Sequence, residues 1–231
     1  MYSMDDLKEN RDAQITVACI AFFLIAFPTY FSIAADRADG SLGGGVGDYQ
    51  VNGEITYVTL DSGAEYVADG TPWSETFSTD ALDNAEELNI VGVRVTLSYG
   101  EDEQSRPFPP CVSQTAADTI SGSATHGEFS NSANGQNGGG SGSHDVTVEW
   151  FNSSMVGAVV KGLSVNEITS QIDAMGAGLG QYDIEISVDA QGDSCTLIGA
   201  DNEDNGEDVS YTIELMVFDY TIVPYIEIQE E

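Results

Sequence analysis

The stretch NIVGVRVTLSYGED, residues 89 to 102, decides the fold. Val91, Val93, Val95, Leu97 and Tyr99 alternate with Gly92, Arg94, Thr96 and Ser98. A period of two puts one set on each face of a strand, so one face is apolar and the other wet. The device recurs in HDVTVEWF (144–151), where Val146, Val148 and Trp150 form the apolar set, and in YDIEISVDA (182–190), with Ile184, Ile186 and Val188. DVSYTIELMVFDY (208–220) adds Tyr211, Ile213, Leu215 and Val217, with Met216 and Phe218 making its second half apolar on both faces.

Strands with one wet face belong to antiparallel sheets that pack their dry faces together. The chain therefore reads as all-β, an antiparallel β-sandwich of Ig-like or jelly-roll-like kind. Further strands are expected at GEITYVTL (53–60), CTLIGA (195–200), ETFSTD (75–80) and DTISGSA (118–124). One short amphipathic helix is marked by a capping box, Ser164 with Glu167. Val165, Ile168, Ile172, Met175 and Leu179 follow at helical spacing and Gly176 offers a stop, so the helix is expected to close one end of the sandwich.

Outside this pattern lies ITVACIAFFLIAFPTYFSIAA, residues 15 to 35, which has no charged residue. As a helix it would be about 31 Å long, close to the hydrocarbon thickness of a bilayer. Pro28 is tolerated in membrane helices where neighbouring groups take over its lost hydrogen bond. The flanks MDDLKENRDAQ and DRADGSLGGGVGD are polar. Ser32-Ile33-Ala34 would suit a signal cleavage site, but the n-region carries Asp5, Asp6, Glu9 and Asp12 against Lys8 and Arg11, and the apolar run is long for a signal. An uncleaved transmembrane helix is the favoured reading, with a cleaved signal as the alternative. The domain boundaries follow as 1–14 cytoplasmic, 15–35 spanning, 36–48 a glycine-rich linker long enough to hold the domain clear of the headgroups, and 49–231 an acidic extracytoplasmic domain. The expected location is the cell membrane, with lipid around residues 15–35 as the first partner.

Cys19 lies inside the apolar run, which leaves Cys111 and Cys195 in the exported part. They read as a disulfide, worth about 4 to 5 kcal/mol for a loop of this length, or as two unrelated buried thiols. Asn152-Ser153-Ser154 is a glycosylation sequon.

The chain has 39 acidic and 6 basic residues and a net charge of −33. Such a surface repels nucleic acid and anionic headgroups. At about 1 M salt the Debye length is about 3 Å and the self-repulsion largely vanishes. In composition and layout the chain resembles uncharacterised secreted and membrane-anchored proteins of salt-adapted archaea. No particular activity follows from that resemblance; a cell-envelope protein or polysaccharide is the expected further partner.

The segment RDAQITVACIAFFLIAF (11–27) loosely resembles the N-termini of archaeal pilins and archaellum accessory subunits. There a short charged leader is cut off and the following helix packs into a filament or anchors a β-sandwich. The resemblance implies processing after Ala13, leaving Gln14 first.

Candidate chemistry is sparse. In DNEDNGED (201–208), Asp201, Glu203 and Asn205 take the first, third and fifth places of a calcium loop, with Gly206 at the sixth. The twelfth place is Thr212 and not Glu, so a Ca²⁺ site and an acidic hairpin turn both remain open. The cluster YGEDE (99–103) can join a cation site on the same terms. His126 and His144 are the only histidines. No GxSxG elbow is present, and a non-catalytic binding, adhesion or envelope-structural role is expected. SNSANGQNGGGSGSH (130–144) reads as an exposed mobile loop, and Trp73 as a surface aromatic in a loop able to meet a sugar.

Overall fold

A computed structural model of the chain describes residues 14–15, 19–20, 22–26, 29, 45–100, 117–137, 140–191, 194–195, 200–201 and 204–226. The strands form two main antiparallel sheets. β1 (Gly47–Ala68), β3 (Ile90–Gly100), β6 (Ser141–Glu149), β7 (Val159–Leu163) and β11 (Gly206–Pro224) make the first, in the order β6-β3-β11-β1-β7. β2 (Trp73–Ser78), β4 (Thr119–His126), β5 (Phe129–Gln136) and β8 (Gln181–Asp189) make the second, in the order β2-β8-β4-β5. Where CTLIGA suggested one strand, the backbone instead forms a short hairpin, β9 (Ser194–Cys195) against β10 (Ala200–Asp201).

The alternation seen in the sequence builds the core. Val93, Val95, Leu97 and Tyr99 of β3 and Ile213, Leu215 and Val217 of β11 face Ile120 and Ala124 of β4 and Tyr182, Ile184, Ile186 and Val188 of β8. Each fully buried aliphatic side chain contributes about 1.5 to 3 kcal/mol. Trp150 packs against this core and donates its indole N–H to the Ile90 carbonyl at 2.9 Å.

In the β1–β11 and β11–β3 ladders two bulges break the strict period. Met216 pairs with Gly92 and Val217 with Ile90, so Val91 is an extra residue and turns to the opposite face from Val93. Alternation alone places Val91 with the inward set, and the bulge removes it. On β1, Thr59 pairs with Glu214 and Asp61 with Ile213, leaving Leu60 as the extra residue. It allows Val58, Leu60 and Val67 all to reach the inter-sheet core despite their mixed parity.

The outer face of the five-stranded sheet carries a second core. Val51, Val91, Met216 and Phe218 are covered by Ile168 and Ile172 of α1 (Val165–Ile172). The capping box is present: Glu167 N–H donates to the Ser164 hydroxyl, and the Glu167 carboxylate accepts from Ser164 N–H at 2.8 Å. The helix departs from expectation twice. It lies on a sheet face and not across an end, and it stops at Ile172, short of Met175 and Leu179. Asn89 ends it: its amide donates to the carbonyls of Ile172 and Phe218, both at 3.1 Å, and its side-chain oxygen accepts from Ala174 N–H. Asp173 then accepts from Met175 N–H and from the Tyr220 hydroxyl, each at 2.8 Å.

Most of the tract 130–144 is strand and not loop. Phe129–Gln136 is β5 and Ser141–Glu149 is β6, so the tract crosses from one sheet to the other. Its glycines make room for Tyr99. A Cβ on Gly135 would lie 2.0 Å from the Tyr99 hydroxyl oxygen, and one on Gly142 would lie 2.4 Å from the same ring. Trp73 likewise is not in a loop; it opens β2, half-buried and stacked on Tyr211 with ring centroids 5.1 Å apart.

The described residues of the N-terminal run are helical, and Ile15, Ile20, Phe22, Phe23, Leu24 and Ile25 are all more than half exposed. Among the described residues no helix is long and apolar enough to cross a membrane. Residues 16–18, 21, 27–28 and 30–35 of the expected span lie outside them.

The packing can be tested at two positions. A Cβ on Gly122 would meet Leu97 Cδ1 at 2.6 Å and Val146 Cγ2 at 2.9 Å. Gly122→Val is expected to cost about 1 to 3 kcal/mol and lower Tm by roughly 3 to 10 °C in a scanning calorimeter; an unchanged Tm would mean that the sheets stand further apart. Burial first, then the hydrogen bond to Asp173, pushes the Tyr220 phenol from 10.0 up to about 12. The folded chain therefore holds a proton between pH 10 and 12 that the unfolded chain releases, so this stabilisation is complete below pH 10 and lost as pH rises to about 12. Urea midpoints across that window should fall less steeply for Tyr220→Phe than for the wild type.

Candidate functional site

At the end of the sandwich where β4 and β11 begin and β1, β5 and β8 finish, acidic side chains converge. One carboxylate oxygen each from Asp118, Asp204 and Glu207 lie within 4.8 Å of one another. Asp118 and Glu207 are fully buried. Asp118 immediately precedes β4, Glu207 is the second residue of β11, and Asp204 sits in the turn before it.

Backbone and amide groups hold the cluster rigid. Asp118 accepts from Gln191 N–H at 2.6 Å and from the Asn137 amide at 2.7 Å. The Asn137 amide also reaches Glu207 at 3.4 Å, while its oxygen accepts from Asp118 N–H. Asp204 accepts from Gly206 N–H at 3.0 Å. Gly206 has φ +134°, and a Cβ there would lie 2.1 Å from the Val67 carbonyl oxygen, so only glycine lets the turn enter β11.

Three negative charges at this spacing repel by about 3 to 4 kcal/mol per pair at an effective dielectric constant of 20. A hard cation among the oxygens reverses the sign of that term, and an all-oxygen set of carboxylates with a neighbouring amide suits Ca²⁺ or Mg²⁺. The sequence pointed to this turn, and the described cluster is built from other residues of it. Asn205 is exposed, and its carbonyl accepts from Asp69 N–H at 2.9 Å; Glu203 and the side chain of Asp201 lie outside the described residues, as do residues 101–103 of the second acidic cluster. Asp118 and Asn137 were missed because they are far from this turn in sequence. They flank the β4–β5 hairpin, just before Thr119 and just after its partner Gln136, and that register is what brings them together.

The histidines are built into the fold. His126 stacks on Tyr182 with centroids 4.3 Å apart, and its two ring nitrogens face the carbonyls of Gln181 at 2.8 Å and Ala177 at 2.6 Å. His144 Nδ1 lies 3.1 Å from the Tyr99 hydroxyl. Burial pushes the His144 imidazole below its ordinary pKa, against a backbone hydrogen bond to Ala133 and the charge of Asp145. Asn152 is half-buried, its amide donating to Gln171 Oε1 at 3.0 Å and its oxygen accepting from Ser154 at 2.6 Å. Cys111 and the side chain of Cys195 lie outside the described residues, so the expected disulfide does too. On the outer face of the four-stranded sheet, Ser74, Glu75, Thr76, Ser123, Thr125, Asp183 and Glu185 line a shallow open hollow of hydroxyls and acids.

If the carboxylate cluster takes a cation, Ca²⁺ at a hundred times its Kd stabilises the fold by about 2.7 kcal/mol, and Tm rises by roughly 5 to 10 °C over the value in chelator. Glu207→Gln removes one charge from the repelling set, so it is expected to raise Tm in chelator and to blunt the calcium response. A wild-type Tm indifferent to calcium and magnesium would remove the cation reading.

No protein-family model matches this chain, and no curated protein matches its sequence, so its own residues carry the functional argument.

Proposed function

We propose that this chain is a membrane-tethered, extracytoplasmic binding, adhesion or envelope-structural module without catalytic activity. In this reading an Ig-like or jelly-roll-like domain is displayed by residues 15–35 acting as an uncleaved transmembrane helix with a cytoplasmic N-terminus. One observation carries it: a helical segment leaves six large apolar side chains, Ile15, Ile20, Phe22, Phe23, Leu24 and Ile25, exposed. An apolar surface of that kind is stable only when lipid or another apolar surface covers it. Thr29 fits the same surroundings, because its hydroxyl donates back to the carbonyls of Ile25 at 2.5 Å and Ala26 at 3.2 Å and so needs no water.

The non-catalytic part of the reading rests on the histidines, one stacked in the core against two carbonyls and the other beside a tyrosine. Among the described residues neither sits with a carboxylate and a nucleophile in a pocket. The carboxylate cluster at the other end of the sandwich, a candidate cation site, supports a structural or ligand-bridging role. A second reading, a pilin-like or stator-like subunit, draws on the same exposed helix. Gln14 is itself helical, so a cut after Ala13 would leave the described helical residues whole.

Intact mass and N-terminal sequencing of the protein from its native membrane, with and without reductant and alkylation, separate these readings. The proposal expects a chain starting at or near Met1, with Cys111 and Cys195 protected until reduction. A start at Gln14 would favour filament or stator assembly. A start near Ala35 would overturn the membrane tether.

A further inference from the structure

The end of the sandwich opposite the acidic cluster is where the chain arrives from residues 15–35, and it is unlike the rest of the surface. Val46 is 75% exposed and Ile226 80%, with Val223 and Tyr225 more than a third exposed. The topology gathers them: Tyr49 pairs with Pro224, Tyr225 N–H donates to the Asp48 carbonyl, and Asp48 pairs with Lys161 on the neighbouring strand. Lys161 is exposed, and it is the only lysine beyond residue 8. The one other described cation, Arg94, is held by Glu214. A cluster of aliphatic side chains with a tyrosine and a lysine is the chemistry of a bilayer interface, where aromatic rings sit at headgroup level and lysine stems lie along apolar surface.

We propose that this end of the domain docks onto the headgroup layer of the membrane, giving the module a second lipid contact. The proposal rests on residues 15–35 spanning the bilayer. Given that, only residues 36–44 separate the expected end of the span from the first described residue of the domain. Nine residues reach at most about 30 Å. The interfacial layer on each side of the hydrocarbon is itself about 5 to 8 Å thick. The tether thus makes docking intramolecular, so a contact too weak to recruit a free domain is populated. On this proposal the linker delivers the apolar end to the headgroups, where composition alone suggested that it holds the domain clear of them.

Charge selects the kind of surface. Asp48 lies at this end, and Glu227, Glu230 and Glu231 follow in the sequence. Anionic headgroups would be repelled, so the occupant is a zwitterionic headgroup layer.

The test uses the full chain reconstituted in phosphatidylcholine vesicles, carrying a tryptophan either as Ile226→Trp or as Tyr57→Trp. Tyr57 is exposed on β1, ten residues beyond its first, roughly 33 Å along the strand. Both variants should float with the vesicles. Relative to wild type, the added tryptophan at 226 should shift to the blue and lose emission when the lipids are brominated close to the glycerol, and the one at 57 should do neither. Adding Val46→Asp and Val223→Asp should restore the emission at 226. Vesicles that carry the chain yet leave position 226 no more quenched than position 57 would overturn the docking and leave the transmembrane reading standing. A chain that does not float overturns both.

Discussion

The antiparallel pairing of β1 with β11 is the constraint on which the rest depends. It runs from Tyr49 opposite Pro224 to Ala68 opposite Gly206. β3 and β7 are hydrogen-bonded to its two outer edges, so the five-stranded sheet exists because this ladder does. The ladder also makes both cores. Ile213, Leu215 and Val217 face the second sheet, while Met216 and Phe218 of the same strand face α1. The bulges at Leu60 and Val91 let its neighbours serve both faces without interrupting the pairing. Beyond the short stretch paired with β7, the other edge of β1 is protected differently. Glu54, Asp61 and Glu65 are exposed there, and charges and bulges discourage edge-to-edge addition.

The fold was legible wherever burial imposes a period of two. β3, β6, β8 and β11 each carry that period, and the two-sided apolar half of β11 announced the second core. The misreadings have one physical cause: local composition does not by itself determine conformation. Glycine at 135 and 142 suggests freedom, whereas these are the only residues that leave space for the Tyr99 ring. Met175 and Leu179 fit a helical period, yet Asn89, distant in sequence, takes the last carbonyls and ends the helix first. A clamp of that kind is a tertiary event and leaves no local signal.

The candidate site was half legible for the same reason. A sharp turn rich in acids before a strand was visible, and Gly206 was correctly placed at its tightest point. Which acids point inward depends on where β4 and β5 end in space. Asp118 and Asn137 meet Glu207 only because β4, β5 and β11 bring their ends together. The spacing of a known calcium loop selected Asp201, Glu203 and Asn205; Glu203 and the side chain of Asp201 lie outside the described residues, and among those described the sheet edges gather Asp204 and Glu207 from the same turn.

Charge then gives the module a direction. With 39 acids and 6 bases, most carboxylates have no cationic partner to find, and the one ion pair among the described residues, Arg94 with Glu214, is reinforced by the Tyr57 ring 3.7 Å from the guanidinium carbon. Exposed carboxylates are left to solvent and salt, which screens them at little cost. Buried ones cannot use salt in that way. Asp118 and Glu207 sit where mobile ions do not reach, so a coordinated cation is what would lower their mutual repulsion. At the opposite end the apolar side chains and Lys161 have the converse requirement, a surface less polar than water. Along the β1–β11 ladder the described residues thus gather buried carboxylates near the end where Ala68 meets Gly206 and exposed apolar side chains near the end where Tyr49 meets Pro224. On the proposed tether, that polarity would present the acidic end away from the lipid.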